Sequence, residues 1–211
     1  MISSYMKSPP PIRLQLSSPE QRGKLVALQA AFAQVCNALA PIVQENRCWN
    51  RVTLHHLAYH QLREQFPAMG SQMVCNAIYA VCRSARVVFQ HPESPLHLSK
   101  IAGKPLPRLE FLESSPVYFD RHTLSIRAGE LSMYTLDGRM KFQVPLSQAE
   151  EERFHHEKLH EVILARNQSG VFELSFWFAG LQDKTNRAQA FAAVKAQPGL
   201  IPEYIKVQAH L

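Results

Sequence analysis

One string in the sequence has a ready chemical meaning: His156-Glu157-Lys158-Leu159-His160. On a helix this H-E-x-x-H spacing sets two imidazoles on one face to hold zinc, with the glutamate as general base. A strand-like run at 161–166 starts directly after His160, so the two histidines are predicted to straddle a helix-to-strand junction without sharing a face. A zinc hydrolase using His156 and His160 is therefore the outlying alternative. His56 and His60 form a second i, i+4 pair, but no third ligand stands at a motif spacing, and a solvated or nucleic-acid-facing surface is the simpler reading. Cys36, Cys48, Cys75 and Cys82 match no C-x-x-C zinc pair and are too few for a disulfide scaffold of 211 residues, so they are read as reduced thiols. Cys75 and Cys82, seven apart, are expected to be small core residues on one helix face.

The remaining catalytic signatures are missing. There is no Gly-rich phosphate loop and no G-x-S-x-G elbow, and only eight glycines are available to build one. A two-metal nuclease needs carboxylates converging from separate elements. Most acids here lie in the run 150–152 or at turn and strand edges. No catalytic centre, metal or cofactor is expected.

Charge points elsewhere. Lys plus Arg number 23 against 17 Asp plus Glu, a net charge of +6. Residues 1–92 hold 9 basic and 3 acidic side chains, whereas 93–211 balance 14 against 14. A polyanion is the natural partner of such a lobe. Within it Arg47, Arg51, Arg63, Arg83 and Arg86 are interleaved with Trp49, His55, Tyr59 and Tyr79. Guanidinium groups fork onto phosphates and aromatic planes stack on bases, so the mixture suits RNA or DNA.

These residues need elements to hold them. After Pro9-Pro10-Pro11, the alternation Ile12, Leu14, Leu16 predicts a short strand. Ser18 as N-cap with Pro19 at the first position starts a helix whose apolar stripe runs to Pro41. Thr53 is the predicted cap of a second helix ending at Pro67, and a third runs from about 71 to 88. The prolines at 92, 95, 105 and 107 mark a linker, after which the period changes to two. Strands are predicted at 109–113, 117–120, 122–127, 130–136 and 139–144, the last two joined at Asp137-Gly138. A short acidic helix over 147–158, a hairpin pairing 161–166 with 171–178, and an Ala-rich helix near 184–196 complete the chain. Eight short strands suit a small closed barrel with the helices inserted after its first strand. The predicted fold is α+β: a small antiparallel oligonucleotide-binding-like barrel over 1–18 and 106–180, a basic three-helix lobe over 19–92, a linker over 93–105, and a C-terminal helix and tail over 181–211. No charged-then-apolar leader opens the chain and no stretch nears eighteen uninterrupted apolar residues, so a cytoplasmic, nucleoid-associated bacterial protein without a membrane span is expected.

Three stretches, in order, resemble the N-terminal half of the TnpB family of transposon-encoded RNA-guided nucleases, relatives of the type V CRISPR effectors. The first is the opening strand, Ser18-Pro19-Glu20-Gln21 and the helix through Cys36-Asn37. The second is Thr53-Leu54-His55-His56-Leu57-Ala58-Tyr59-His60-Gln61-Leu62-Arg63-Glu64 with Met69-Gly70-Ser71-Gln72-Met73-Val74 and the helix to Arg86. The third is Phe119-Asp120-Arg121-His122-Thr123-Leu124-Ser125-Ile126, Tyr134 to Arg139, and Val171-Phe172-Glu173-Leu174. The resemblance implies a wedge barrel interrupted by a recognition lobe, with a guide RNA scaffold lying against both. It also implies that a short target-adjacent DNA motif is read by the starts of the second and third helices. Carried over by position, Thr53, His55, His56, Tyr59, Ser71, Gln72, Cys75 and Asn76 become candidate DNA contacts. Gln72 and Asn76 have the donor–acceptor pairs suited to adenine edges. Arg13, Arg121 and Arg139 join the lobe arginines as candidate RNA or phosphate contacts.

The family's RuvC-like strand and four-cysteine zinc ribbon have no counterpart after Phe178. The expected function is thus a nuclease-less RNA-guided DNA-binding protein, not an enzyme. Its expected partners are a guide or scaffold RNA, double-stranded DNA and a second protein chain supplying a nuclease or effector domain. A stand-alone DNA- or RNA-binding regulator is the alternative.

Overall fold

A computed structural model describes residues 11–178 and 201–208; the predicted helix near 184–196 lies outside them. Strand β1 is Ile12–Arg13, shorter than predicted, and Ser18 caps helix α1 (Pro19–Asn46) by accepting from Gln21 N–H. The predicted stop at Pro41 does not occur. Proline removes one backbone donor, but Leu39, Ala40 and Val43 are buried on the turns around it, and that packing holds the helix together. α1 ends where Arg47 turns left-handed at φ 46°. Helix α2 (Arg51–Gln65) is capped by Asn50, whose Oδ1 accepts from Val52 N–H at 3.0 Å and Thr53 N–H at 3.1 Å. Thr53 is therefore inside the first turn and is not the cap. Helix α3 (Ser71–Gln90) carries a strong apolar stripe on Met73, Val74, Ala77, Ile78, Val81 and Ala85.

The strands that follow are β2 (Arg108–Phe111), β3 (Val117–Phe119), β4 (Leu124–Arg127), β5 (Glu130–Thr135) and β6 (Gly138–Gln143). Helix α4 (Gln148–His156), β7 (Leu159–Arg166), β8 (Phe172–Phe178) and β9 (Ile205–Gln208) complete the described chain. All pairings are antiparallel. The sheets have the orders β1-β8-β7-β3, β2-β9 and β4-β5-β6.

The fold is thus α+β with antiparallel sheets, but among the described residues no sheet closes into the predicted barrel. Two local interactions account for the breaks. Asp120 Oδ1 gathers the N–H groups of His122 (3.0 Å) and Thr123 (3.1 Å) into a tight turn, so β3 and β4 fall in different sheets. Asn37 of α1 occupies Phe111 on the edge of β2 that faces away from β9, accepting from its N–H at 2.7 Å and donating to its carbonyl at 2.8 Å, which leaves no room on that edge for a further strand.

Asn37 belongs to a series. Gln29, Asn37 and Gln44 recur on α1 at near-heptad spacing, and all three amides donate to backbone carbonyls of 106–115: Ser114 and Ser115 at 3.3 and 3.2 Å, Phe111, and Leu106 at 2.7 Å. α1 is long and apolar enough to cross a bilayer, yet half of its most apolar window is buried against the rest of the fold. One continuous apolar core joins α1, α2 and α3 to strands of all three sheets. The segment 93–105 lies along α3, with Leu98 N–H donating to Phe89 O at 2.9 Å and Ser94 buried.

α4 is fastened by its acids. Ser147 and Glu150 form a capping box. Glu151 accepts from Ala128 N–H at 2.7 Å and Gly129 N–H at 3.0 Å, closing the β4–β5 turn in which both residues have positive φ, 51° and 74°. These backbone donors hold both carboxyls below their ordinary range, and the Arg153 guanidinium does the same for Glu157. A carboxyl depressed in the folded state stabilises above its unfolded pKa, and that contribution is lost as pH falls through the folded value.

Two outcomes are expected. Asn37→Leu leaves the Phe111 N–H and carbonyl unpaired and should cost about 1–3 kcal/mol in urea unfolding. Acidification from neutrality through the carboxylate range should loosen α4 and the Ala128-Gly129 turn, read as a fall in the amide protection factors of those two residues, and Glu151→Gln should remove most of that pH dependence.

Candidate nucleic-acid interface

The two helix starts named from the sequence stand at different places along one helical pair: the start of α3 follows the end of α2, where the sheet supports it, and the start of α2 lies against Tyr79 and Arg86 farther along α3. Tyr134 of β5 reaches the α2–α3 connection: its hydroxyl donates to Ala68 O at 2.9 Å and accepts from Gly70 N–H at 2.8 Å. A Cβ on Gly70 would lie 3.1 Å from the Tyr134 ring, so glycine is what permits this approach. Arg63 donates to Met69 O from the other side. α3 then begins without a side-chain cap.

The candidate DNA contacts divide by burial. Thr53, His56 and Ser71 are exposed, while His55, Tyr59, Gln72 and Cys75 are half-buried. His55 stacks on Tyr59 at 4.5 Å and 16°, with His56 edge-on to His55 and His60 edge-on to Tyr59, so α2 presents a run of rings. Gln72 donates to Asp120 Oδ2 through its amide nitrogen, which fixes the side chain but leaves its carbonyl oxygen outside that bond. Burial pushes the Cys75 thiol up, keeping it neutral, although the Arg51 charge acts the other way. Asn76 is a correction: only 6% exposed and donating to Thr123 Oγ1 at 3.4 Å, it holds α3 to the Asp120 turn and presents nothing to a base.

The candidate phosphate contacts divide in the same way. Arg83 is the clearest correction. It is 9% exposed and ion-paired with Glu161, itself 3% exposed, with its guanidinium 5.7 Å from the centroid of the Tyr118 ring. A group so enclosed is not offered to a nucleic acid. The signal that could have revealed it is Glu161 itself, an acid directly before the apolar run Val162-Ile163-Leu164 of the same strand. Arg121 donates to the carbonyls of Phe154 and Glu157, closing the C-terminal end of α4 where a cation suits the helix dipole. Arg13 pairs with Glu173 at 3.3 Å on the surface.

Arg47, Arg51 and Arg86 remain exposed. Arg51 lies 5.6 Å from the centroid of the Tyr79 ring, and Arg86 donates to Trp49 O at 3.4 Å, so the start of α2 and the second half of α3 share one cationic, aromatic corner. Burial raises the Tyr79 phenol above its ordinary pKa despite the opposing charges of Arg83, Arg51 and Arg86. Tyr79 is therefore a neutral ring among cations.

The H-E-x-x-H string does not form the helical site its spacing suggests. α4 ends at His156, and His160 lies on β7, so the helical face that H-E-x-x-H chemistry requires does not form. Both Glu157 carboxylate oxygens accept from Arg153, at 2.8 and 3.1 Å. Among the described residues no three His, Cys, Asp or Glu side chains gather to hold an ion. No protein-family model matches the chain, and no curated protein matches it.

The two kinds of arginine should separate experimentally. Arg83→Met strands a buried carboxylate and should cost about 3–5 kcal/mol of stability by chemical denaturation. Arg86→Gln should stay within about 0.5 kcal/mol of the parent.

Proposed function

We propose that this chain supplies the binding half of an RNA-guided DNA-targeting complex of the TnpB and type V kind. The strands and helical lobe hold a structured RNA beside a short duplex DNA motif, and cutting is left to another nuclease domain or chain. In this reading the four- and three-stranded sheets are an opened form of the family's oligonucleotide-binding-like wedge.

The observation that carries the reading is convergence. The three stretches resembling the family lie far apart in sequence yet meet in space. Ile12 of the first pairs with Leu174 of the third. Gln72 and Asn76 of the second bond to Asp120 and Thr123 of the third, and Gly70 bonds to Tyr134. A duplex laid along the α2–α3 pair would meet Ser71 and Gln72 toward one end and Thr53 and His56 toward the other, where Arg51 and Arg86 could take its phosphates. Such a division of labour delegates most sequence reading to RNA pairing, while the protein grips backbone shape and one short motif.

The test is the nucleic acid that purifies with the protein from its native host. A discrete RNA, and DNA affinity that falls after ribonuclease treatment, is the expected result. Affinity unchanged by ribonuclease would replace this reading with the stand-alone regulator. Gln72→Ala should relax discrimination at one base position of the motif by about 1–3 kcal/mol. An Arg51→Gln, Arg86→Gln double variant should weaken all sequences alike and flatten the salt slope by about 2. Identical behaviour of the two variants would contradict the assigned roles.

A further inference from the structure

Among the described residues, Arg139 differs from every other exposed arginine in how its donors are spent. Standing on β6 opposite Tyr134, it donates from Nε to Ser132 Oγ at 2.9 Å and from Nη2 to Ser132 O at 2.8 Å and Ser125 Oγ at 3.2 Å; Nη1 donates to His122 O at 3.4 Å. Four of about five guanidinium N–H groups are thus turned onto the protein, yet the residue is exposed. An arginine forks onto phosphate through those in-plane donors. With the edge committed, what the side chain offers solvent is its flat, cationic face. That is the geometry on which an unstacked base rests.

The surroundings agree. Ser125 and Ser132 accept from Arg139 and, among the described residues, their hydroxyls donate to nothing, leaving two O–H groups beside the plate. Cross-strand register places Lys141 next to Ser132, and Arg127 next to Glu130, on the same face. Glu130 is the acid of this face, and Lys141 holds it at 2.9 Å. The patch is therefore net positive, complementary to a polyanionic strand, and continuous through Tyr134 with the α2–α3 connection.

We propose that Arg139 is a stacking plate for an unpaired base of bound RNA, held face-out by Ser125, Ser132 and His122. This rests on the nucleic-acid reading above and assigns Arg139 a base in place of the phosphate expected from the sequence. RNA is the committed ligand because its loops present splayed bases, whereas duplex DNA keeps its bases stacked.

The test compares two labelled hexamers of equal charge, ribo-uridylate and an abasic ribose-phosphate chain, by fluorescence anisotropy with the full-length protein. The wild type should bind uridylate about tenfold tighter than the abasic chain. Arg139→Lys keeps the charge but loses the plane, and the ratio should fall to near one. Lys141→Gln should weaken both hexamers by the same factor and leave the ratio intact. A wild-type ratio near one, which needs no variant to fold, would overturn the plate; so would Arg139→Lys retaining the full ratio. If the wild type binds neither hexamer at low salt, the nucleic-acid reading itself fails and the plate with it.

Discussion

Arg83 and Glu161 are withdrawn from water together where α3 lies on the four-stranded sheet, and that shared burial constrains everything around them. Each charge alone would cost several kcal/mol in such a place, so each needs the other in position. A one-residue slip of β7 would turn Glu161 to the opposite face, and a rotation of α3 would carry Arg83 away. Tyr118 of β3 lies beside the guanidinium, and Tyr204, just before β9, bonds to Ser84 and Tyr118, with burial raising its phenol well above the ordinary value. Four elements distant in the chain are therefore registered against one ion pair.

The lobe and the sheets are joined by polar contacts as well as by apolar ones. Amides on α1 clamp the backbone of 106–115, Tyr134 fixes the α2–α3 connection, and the Asp120 turn receives Gln72 and Asn76. The first two satisfy backbone groups of β2, the segment around it and the α2–α3 connection, and the third ties α3 to the sheet through side chains alone. The surface proposed to meet nucleic acid is consequently composite: the helices present it, and the sheet sets its angle.

Arginine chemistry here depends on what each guanidinium has already spent. Arg83 is consumed by an ion pair, Arg121 by a helix end, Arg63 by a turn and Arg139 along its edge. Arg51 and Arg86 are engaged more lightly, through a ring face and one long hydrogen bond, and stay exposed. A net positive lobe is thus a poor guide to which cations face a ligand, because burial and competing acceptors decide it one residue at a time.

Local order was legible in the sequence. Among the described residues, periods of 3.6 and 2 placed the helices and most strands to within a few residues, Ser18 and Ser147 announced their caps, and the H-E-x-x-H string was correctly denied a single helix because a strand begins within it. These features depend on neighbours within one or two turns, and such neighbours are written in the chain itself. Pro41 was misjudged as a stop because the packing that carries α1 past it comes from remote segments. The barrel was expected because strand number was visible, while Asn37 blocking β2 was not. Burial of Arg83 and Asn76, and the committed edge of Arg139, were decided only when residues 40 to 80 positions apart met or when three strands came into register. Charge and donor type belong to the residue, but whether they remain available to a ligand is a property of the folded surroundings.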